Sequence, residues 1–75
     1  MIGLLWLDTQ KRPLSAEVVQ EAVTHCRENR GFTPRLVHVH TSALAEETVL
    51  AGVKVQPVKS TQKHHLFLVI PEEAQ

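Results

Sequence analysis

The stretch Ser15–Gly31, SAEVVQEAVTHCRENRG, decides the fold because it has the pattern of an amphipathic helix. Ser15 is predicted to cap the first turn, since its hydroxyl can accept a hydrogen bond from an unpaired backbone N–H. Gly31 is predicted to end the helix, because glycine readily adopts the left-handed conformation that follows a last turn. Apolar residues recur three or four positions apart and form one stripe, namely Val18, Val19, Ala22, Val23 and Cys26.

Four segments around this helix have the length and composition of strands. Ile2–Leu7 and His65–Ile70 are apolar at nearly every position, and strands that are apolar on both faces are usually central in a sheet. Arg35–Thr41 and Val53–Lys59 alternate apolar and polar residues, as half-buried strands do. Because Pro57 cannot donate a hydrogen bond to a neighbouring strand, the last of these is predicted to be an edge strand.

The segment Ser42–Leu50 is rich in alanine and glutamate, which favour a short second helix that ends at Gly52. The predicted fold class is therefore α/β, of the α+β-like kind, with the element order β-α-β-short α-β-β. One domain, residues 1–75, would contain a mixed four-stranded sheet in the order two-one-four-three. The opening βαβ unit predicts parallel first and second strands with a right-handed crossover, and residues 72–75 are predicted to fray.

The composition excludes several classes of protein. Eight basic residues balance eight acidic ones, so bulk charge does not favour binding to nucleic acid or to an anionic membrane surface. A single cysteine rules out a disulfide within the chain. No apolar run reaches the roughly 18 residues of a membrane-spanning helix, and no basic region precedes the first apolar run as in a signal peptide. We therefore expect a cytoplasmic protein.

The predicted sheet has more apolar surface than its helices can cover. Four strands are roughly 15–20 Å wide, whereas one helix is about 10 Å across, so the second face is expected to stay exposed and to form an interface. The leading interpretation is a non-catalytic protein–protein interaction or assembly module that forms a homodimer, or docks onto another protein, through this face. The alternative is that the strand ends curl and the short helix covers more of the sheet. The predicted interface residues are Leu5, Trp6, Leu7 and Phe67, and the anchor would be either Trp6 or the opposite row of Leu5 and Leu7.

Histidines provide the second functional hypothesis. His38 and His40 are two residues apart on a strand, so both side chains point to one face at a separation of about 6.5–7 Å. Neutral imidazoles are ligands for zinc and related transition metals, and His65 could supply a third nitrogen. The alternative function is therefore zinc binding, possibly at a dimer interface. A merely polar strand face explains the same residues, and the predicted strand order separates His65 from the other two.

No catalytic constellation is present, so an enzyme is the less favoured class. His25 and Cys26 are adjacent on the predicted helix, and adjacent helical residues do not face each other. The three glycines are scattered and form no loop that could cradle a phosphate. No serine lies in the G-x-S-x-G turn that exposes the nucleophile of many hydrolases. No cofactor other than zinc is expected.

Overall fold

The computed structural model describes residues 3–70, in which one helix packs on a five-stranded mixed sheet. The strand order is β1-β5-β2-β4-β3, and β2 and β4 are the parallel pair while every other neighbouring pair is antiparallel. The predicted start of strand one at Ile2 and the predicted frayed tail 72–75 lie outside the described residues. The elements are β1 (Gly3–Leu7), α1 (Ala16–Arg30), β2 (Leu36–Val39), β3 (Thr48–Leu50), β4 (Val53–Pro57) and β5 (His65–Val69).

Helix α1 begins and ends where its capping residues predict. The backbone N–H of Val18 donates to the Ser15 hydroxyl at 3.4 Å, which satisfies one of the unpaired donors of the first turn. Gly31 has a φ of 77° and its N–H donates to the carbonyl of Arg27 at 3.2 Å. The whole apolar stripe is buried, so the prediction for this helix is confirmed.

The hydrophobic core lies between α1 and one face of the sheet. Alternate residues of the three inner strands are buried there, because side chains of a strand point to opposite faces in turn. Leu4 and Trp6 of β1 are partly buried and pack against the same cluster. The buried strand residues are Val37 and Val39 in β2, Val53 and Val55 in β4, and Leu66 and Leu68 in β5.

The predicted second helix is wrong. Residues 42–47 form turns, and Thr48–Leu50 forms the fifth strand, which pairs with β4 in a hairpin. Ala51 (φ 54°) and Gly52 (φ 76°) make the two-residue connection, and two successive positive φ values match the twist of paired strands. Strand pairing with β4 therefore overrides the local helix preference.

The predicted strand order is also wrong. Strand β5 lies between β1 and β2, so the two strands of the predicted βαβ unit do not pair, and β1 is an edge strand of the described sheet. Only β5, of the two doubly apolar strands, has a neighbour on each side. Strand β1 is also apolar on both sides, but its second apolar row is not buried. Leu5 and Leu7 lie on the sheet face opposite α1 and are exposed there.

Strand β4 is not the predicted edge strand, since it lies between β2 and β3. Strand β3 pairs only with Val53–Val55, so Pro57 extends past its end. The N–H of Lys54 donates to the carbonyl of Arg35, the residue before β2, and the N–H of Val58 donates to that of Val39. Alternate N–H groups of a strand point to opposite sides. The nitrogen of Pro57 therefore faces away from β2, where the missing donor is not needed.

Candidate functional site

The sheet face opposite α1, here called the open face, is covered by no helix and no strand of residues 3–70. Leu5 and Leu7 of β1 are 52% and 47% exposed on it. The apolar side chains of β2 and β5 on this face, Leu36, Phe67 and Val69, are only partly buried, although their neighbours in sequence on β2 and β5 include core residues. We define the apolar block of the open face as Leu5, Leu7, Leu36, Phe67 and Val69.

Strand register makes the apolar block continuous across three strands. Leu5 of β1 lies opposite Phe67 of β5, which in turn lies opposite His38 of β2. In the neighbouring row, Val69 of β5 lies opposite Leu36 of β2. Directly opposed side chains in a sheet are within contact distance, so the block is one patch rather than scattered exposed residues.

Phe67 lies at the centre of this patch. A methyl group added at Gly3 would lie 2.7 Å from Cζ of Phe67. The ring therefore packs over Gly3, where only a residue without a side chain gives it room. On the other side the His38 ring lies 5.9 Å away, centroid to centroid, with the planes tilted by 30°. Burial lowers the pKa of His38, so this imidazole is predominantly neutral at pH 7. A shallow depression of about 310 Å³ separates Leu5, His38 and Phe67 from the segment 60–62.

The predicted interface residues separate into two groups. Leu5, Leu7 and Phe67 lie together on the open face, whereas Trp6 lies on the opposite face and packs against the core. This separation follows from the alternation of side chains along a strand, which places Trp6 on the same face as Leu4. An interface role for the open-face residues stays a prediction.

Of the predicted metal ligands, His65 lies on the strand next to that of His38, because β5 pairs directly with β2. The predicted strand order had placed another strand between them. His65 donates from Nδ1 to the carbonyl of Lys63 at 2.9 Å. Nδ1 of His40 accepts from the N–H of Ser42 at 3.0 Å and contacts its hydroxyl at 2.7 Å. His38 stacks on Phe67 instead. Residues 3–70 contain no group of three or more histidine, cysteine or carboxylate side chains placed to hold one metal ion.

A second concave site, here called the end pocket, lies where β1 and β2 end and β5 begins. It is a cavity of about 400 Å³ with an apolar floor formed by Leu14, Val18, Val39 and Leu66. Three segments that are far apart in sequence supply its walls, so no local motif predicts it. The basic and imidazole side chains of its rim are Lys11, Arg12, His40, Lys63, His64 and His65.

Asp8 organises one wall of the end pocket. Its side chain is only 3% exposed, and its carboxylate accepts from the N–H of Gln10 at 3.1 Å and the N–H of Arg12 at 2.9 Å. The Arg12 guanidinium bonds to the same carboxylate and to Glu21 of α1. Burial alone would raise the pKa of Asp8, but the hydrogen bonds from Arg12 and Gln10 outweigh it and lower that pKa. The Asp8 carboxylate is therefore charged and holds Arg12, which in turn joins this wall to Glu21 of α1.

Asp8→Asn is expected to lower the free energy of unfolding at pH 7 by roughly 1–3 kcal/mol, because an amide cannot accept all the hydrogen bonds of the carboxylate. The folded pKa of Asp8 is below its unfolded value, so its charge stabilises the fold at neutral pH. The difference from wild type should shrink as the pH falls through that lowered pKa. Urea unfolding at neutral and acidic pH measures it, with Glu46→Gln, at an exposed position outside the helix and strands, as control; an equal difference at both pH values would contradict this role.

Cys26 and His25 do not form a reactive pair. Cys26 is buried in the core, and this burial raises the pKa of its thiol although the nearby Arg30 opposes the shift. His25 is exposed and contacts the side chain of Asn29, one helical turn away. The thiol is therefore a packing group, since the reactive form of a cysteine is the thiolate.

No helix within residues 3–70 is long and apolar enough to cross a membrane. The open face and the end pocket are the two features of the described chain from which a function can be inferred. Comparison of the chain with known proteins found no matching family model, no matching curated protein and no matching solved structure.

Proposed function

We propose that this chain is a non-catalytic assembly module that forms a homodimer by packing the open faces of two copies together. The observation that carries the proposal is the continuous apolar block, in which Leu5 and Leu7 are about half exposed in the single chain. Contiguous exposed apolar patches of this kind mark interaction surfaces. Removing them from water stabilises a complex by roughly 25 cal/mol per Å² of apolar area.

A second copy of the chain is the partner that the charges favour. The net charge of the chain is zero, so two copies have no long-range repulsion to overcome. Lys54 lies opposite Leu36 of the apolar block, and its charge is paired with Glu47 at 3.2 Å. A largely neutral face complements itself, as the shared patch of a two-fold dimer must.

The size of the open face agrees with a dimer. The two largest extents of the described chain are 30 and 22 Å, and a flat face within them offers on the order of 600 Å² per copy, against about 800 Å² in a standard interface. Phe67 would lie near the two-fold axis, since aromatic residues dominate the centres of interfaces. Partner side chains would fill the depression beside it.

Thermal unfolding tests the dimer without any mutation. If unfolding is coupled to dissociation, the midpoint temperature should rise when the protein concentration is raised about a hundredfold, because mass action favours the assembled state. We expect this rise to be the same with and without a metal chelator. A midpoint that does not depend on protein concentration would contradict the homodimer.

The alternative that we propose is a zinc site shared between two copies. His65 supports it, because its Nδ1 donates to a backbone carbonyl and leaves Nε2 for a ligand, as zinc-binding histidines do. His38 is neutral and lies on the neighbouring strand. This alternative predicts one zinc ion per two chains by elemental analysis, and a midpoint that a chelator lowers in wild type but not in His65→Gln. A metal-free protein whose midpoint is unchanged by added zinc would eliminate it.

A further inference from the structure

The end pocket has the dimensions of a small-molecule site. Its volume is about 400 Å³, within the roughly 300–1,000 Å³ of typical ligand pockets. The floor formed by Leu14, Val18, Val39 and Leu66 is apolar, and all of these residues except Leu14 are core residues, on α1, β2 and β5. A ligand there would rest an apolar body on rigid elements rather than on loops.

The rim of the end pocket concentrates positive charge in a chain that is neutral as a whole. Lys11, Arg12 and Lys63 line it together with one carboxylate, Asp8. That carboxylate is already bonded to Arg12 and to two backbone N–H groups. Neither Lys11 nor Lys63 forms an ion pair within the part of the chain that the structure describes. The rim therefore has unneutralised cations, which attract an anion.

Hydrogen-bond donors accompany these charges. Nδ1 of His40 accepts from the N–H of Ser42, so the proton of the neutral imidazole is on Nε2, which makes this nitrogen a donor. The guanidinium of Arg12 is fixed by bonds to Asp8 and to Glu21. Donors that are held in place before a ligand arrives lower the entropic cost of binding.

The rim is built in a conformation that the chain does not adopt freely. Lys11 has a φ of 53° and His64 has a φ of 62°, in the left-handed region that residues with a side chain rarely adopt. Both are held there by one connected network, since Lys11 N–H donates to the carbonyl of Asp8 at 3.0 Å and Asp8 N–H donates to the carbonyl of His64 at 2.9 Å. The two lysine-bearing loops are thus fixed relative to each other.

From this arrangement we propose that the end pocket binds a small organic anion, with a carboxylate or phosphate head group between Lys11 and Lys63 and an apolar body on the floor. The head group would match the unpaired ammonium groups, and the body would match the four apolar side chains. This ligand site lies at one end of the sheet, and it does not depend on whether two open faces pack together.

Three probes separate charge from hydrophobicity: phenyl phosphate, benzoate and the uncharged benzyl alcohol. We expect the amide NMR signals of residues 8–12, 14, 39–43 and 63–66 to shift with at least one of the two anions and not with benzyl alcohol. Tighter binding of phenyl phosphate would identify phosphate as the head group, and tighter binding of benzoate would identify carboxylate. No shift with either anion, or equal binding of the alcohol, would overturn the proposal.

Lysine variants locate the binding. The double variant Lys11→Gln/Lys63→Gln should weaken the affinity for the better anion about tenfold or more, because it removes the charged partners of the head group. Lys59→Gln removes one charge outside the pocket and should bind as wild type does. Unchanged affinity in the double variant, with its NMR spectrum otherwise preserved, would contradict the site. Leu5→Asp should keep full anion affinity even if it abolishes dimers, so the two proposals fail separately.

Discussion

Leu68→Ala is expected to remove about 3–5 kcal/mol from the free energy of unfolding, as large core truncations do. Leu68 is completely buried on β5, opposite Val37 of β2 and Leu4 of β1. It thus packs where α1 covers the inner part of the sheet, and its loss would leave a cavity that the neighbouring strands cannot close. A domain of this size has a free energy of unfolding on the order of 4–11 kcal/mol. The variant should therefore lose a large fraction of that free energy.

Urea unfolding at one fixed protein concentration measures this loss, since any dimer would make stability depend on concentration. Val49→Ala is the matched control, because Val49 is 66% exposed at the far edge of the sheet. Its truncation should cost well under about 1 kcal/mol, the range usual for surface positions. Similar losses in both variants would mean that Leu68 is not at the centre of the core.

Leu5→Asp should dissociate the homodimer while leaving the single chain folded. The side chain is 52% exposed in the single chain, so a carboxylate there remains hydrated and the fold tolerates it. In the packed open faces the same carboxylate would be buried without a partner, which costs several kcal/mol. The dissociation constant should therefore rise about a hundredfold or more.

Val49→Asp is the control for this experiment, because it places the same charge at the rim of the open face, outside the apolar block, where a carboxylate stays hydrated in the dimer. Val49 lies on β3, opposite Lys54 and at the other edge of the sheet from Leu5. Sedimentation velocity should show a monomer for Leu5→Asp and a dimer for Val49→Asp, with matching circular dichroism spectra. The interface would be misplaced if both variants stayed dimeric or if only Val49→Asp dissociated.

The helix was the most predictable part of the fold because its determinants are local. The Ser15 cap, the Gly31 end and the apolar stripe all act within 17 consecutive residues, and the structure has all three. The open face was predictable in the same way, from the alternation of side chains along β1 and β5. The same alternation separates Trp6 from Leu5 and Leu7, and only the structure shows that the face of Trp6 is the one that packs against the core.

Strand β3 and the strand order depend on contacts between distant segments. The three residues of Thr48–Leu50 are too few to show a period, and they form a strand because β4 pairs with them. Apolar residues on both sides of a strand have two causes, a central position or an uncovered face, and β1 is an example of the second. Sequence alone does not distinguish these causes, since both place leucines at the same positions.

The end pocket was not predicted because none of the segments that line it has a recognisable sequence motif. Lys11 and Arg12 read as a polar loop, Lys63 and His64 as a second polar loop, and Asp8 as a solvated loop residue. Only the folded chain joins them, through the buried Asp8 carboxylate and the bond from its N–H to His64. A positive φ at a lysine and a histidine also has no signature in the sequence.

Sedimentation equilibrium of the wild-type protein, over a range of concentrations and with and without a chelator, tests the proposed homodimer most directly. Packing of the open faces predicts a mass twice the 8.4 kDa of one chain, approached as concentration rises and unaffected by the chelator. A mass of one chain at every concentration would contradict it, because the apolar block would then remain in water. A dimer that dissociates on adding chelator would instead make zinc the cause of assembly.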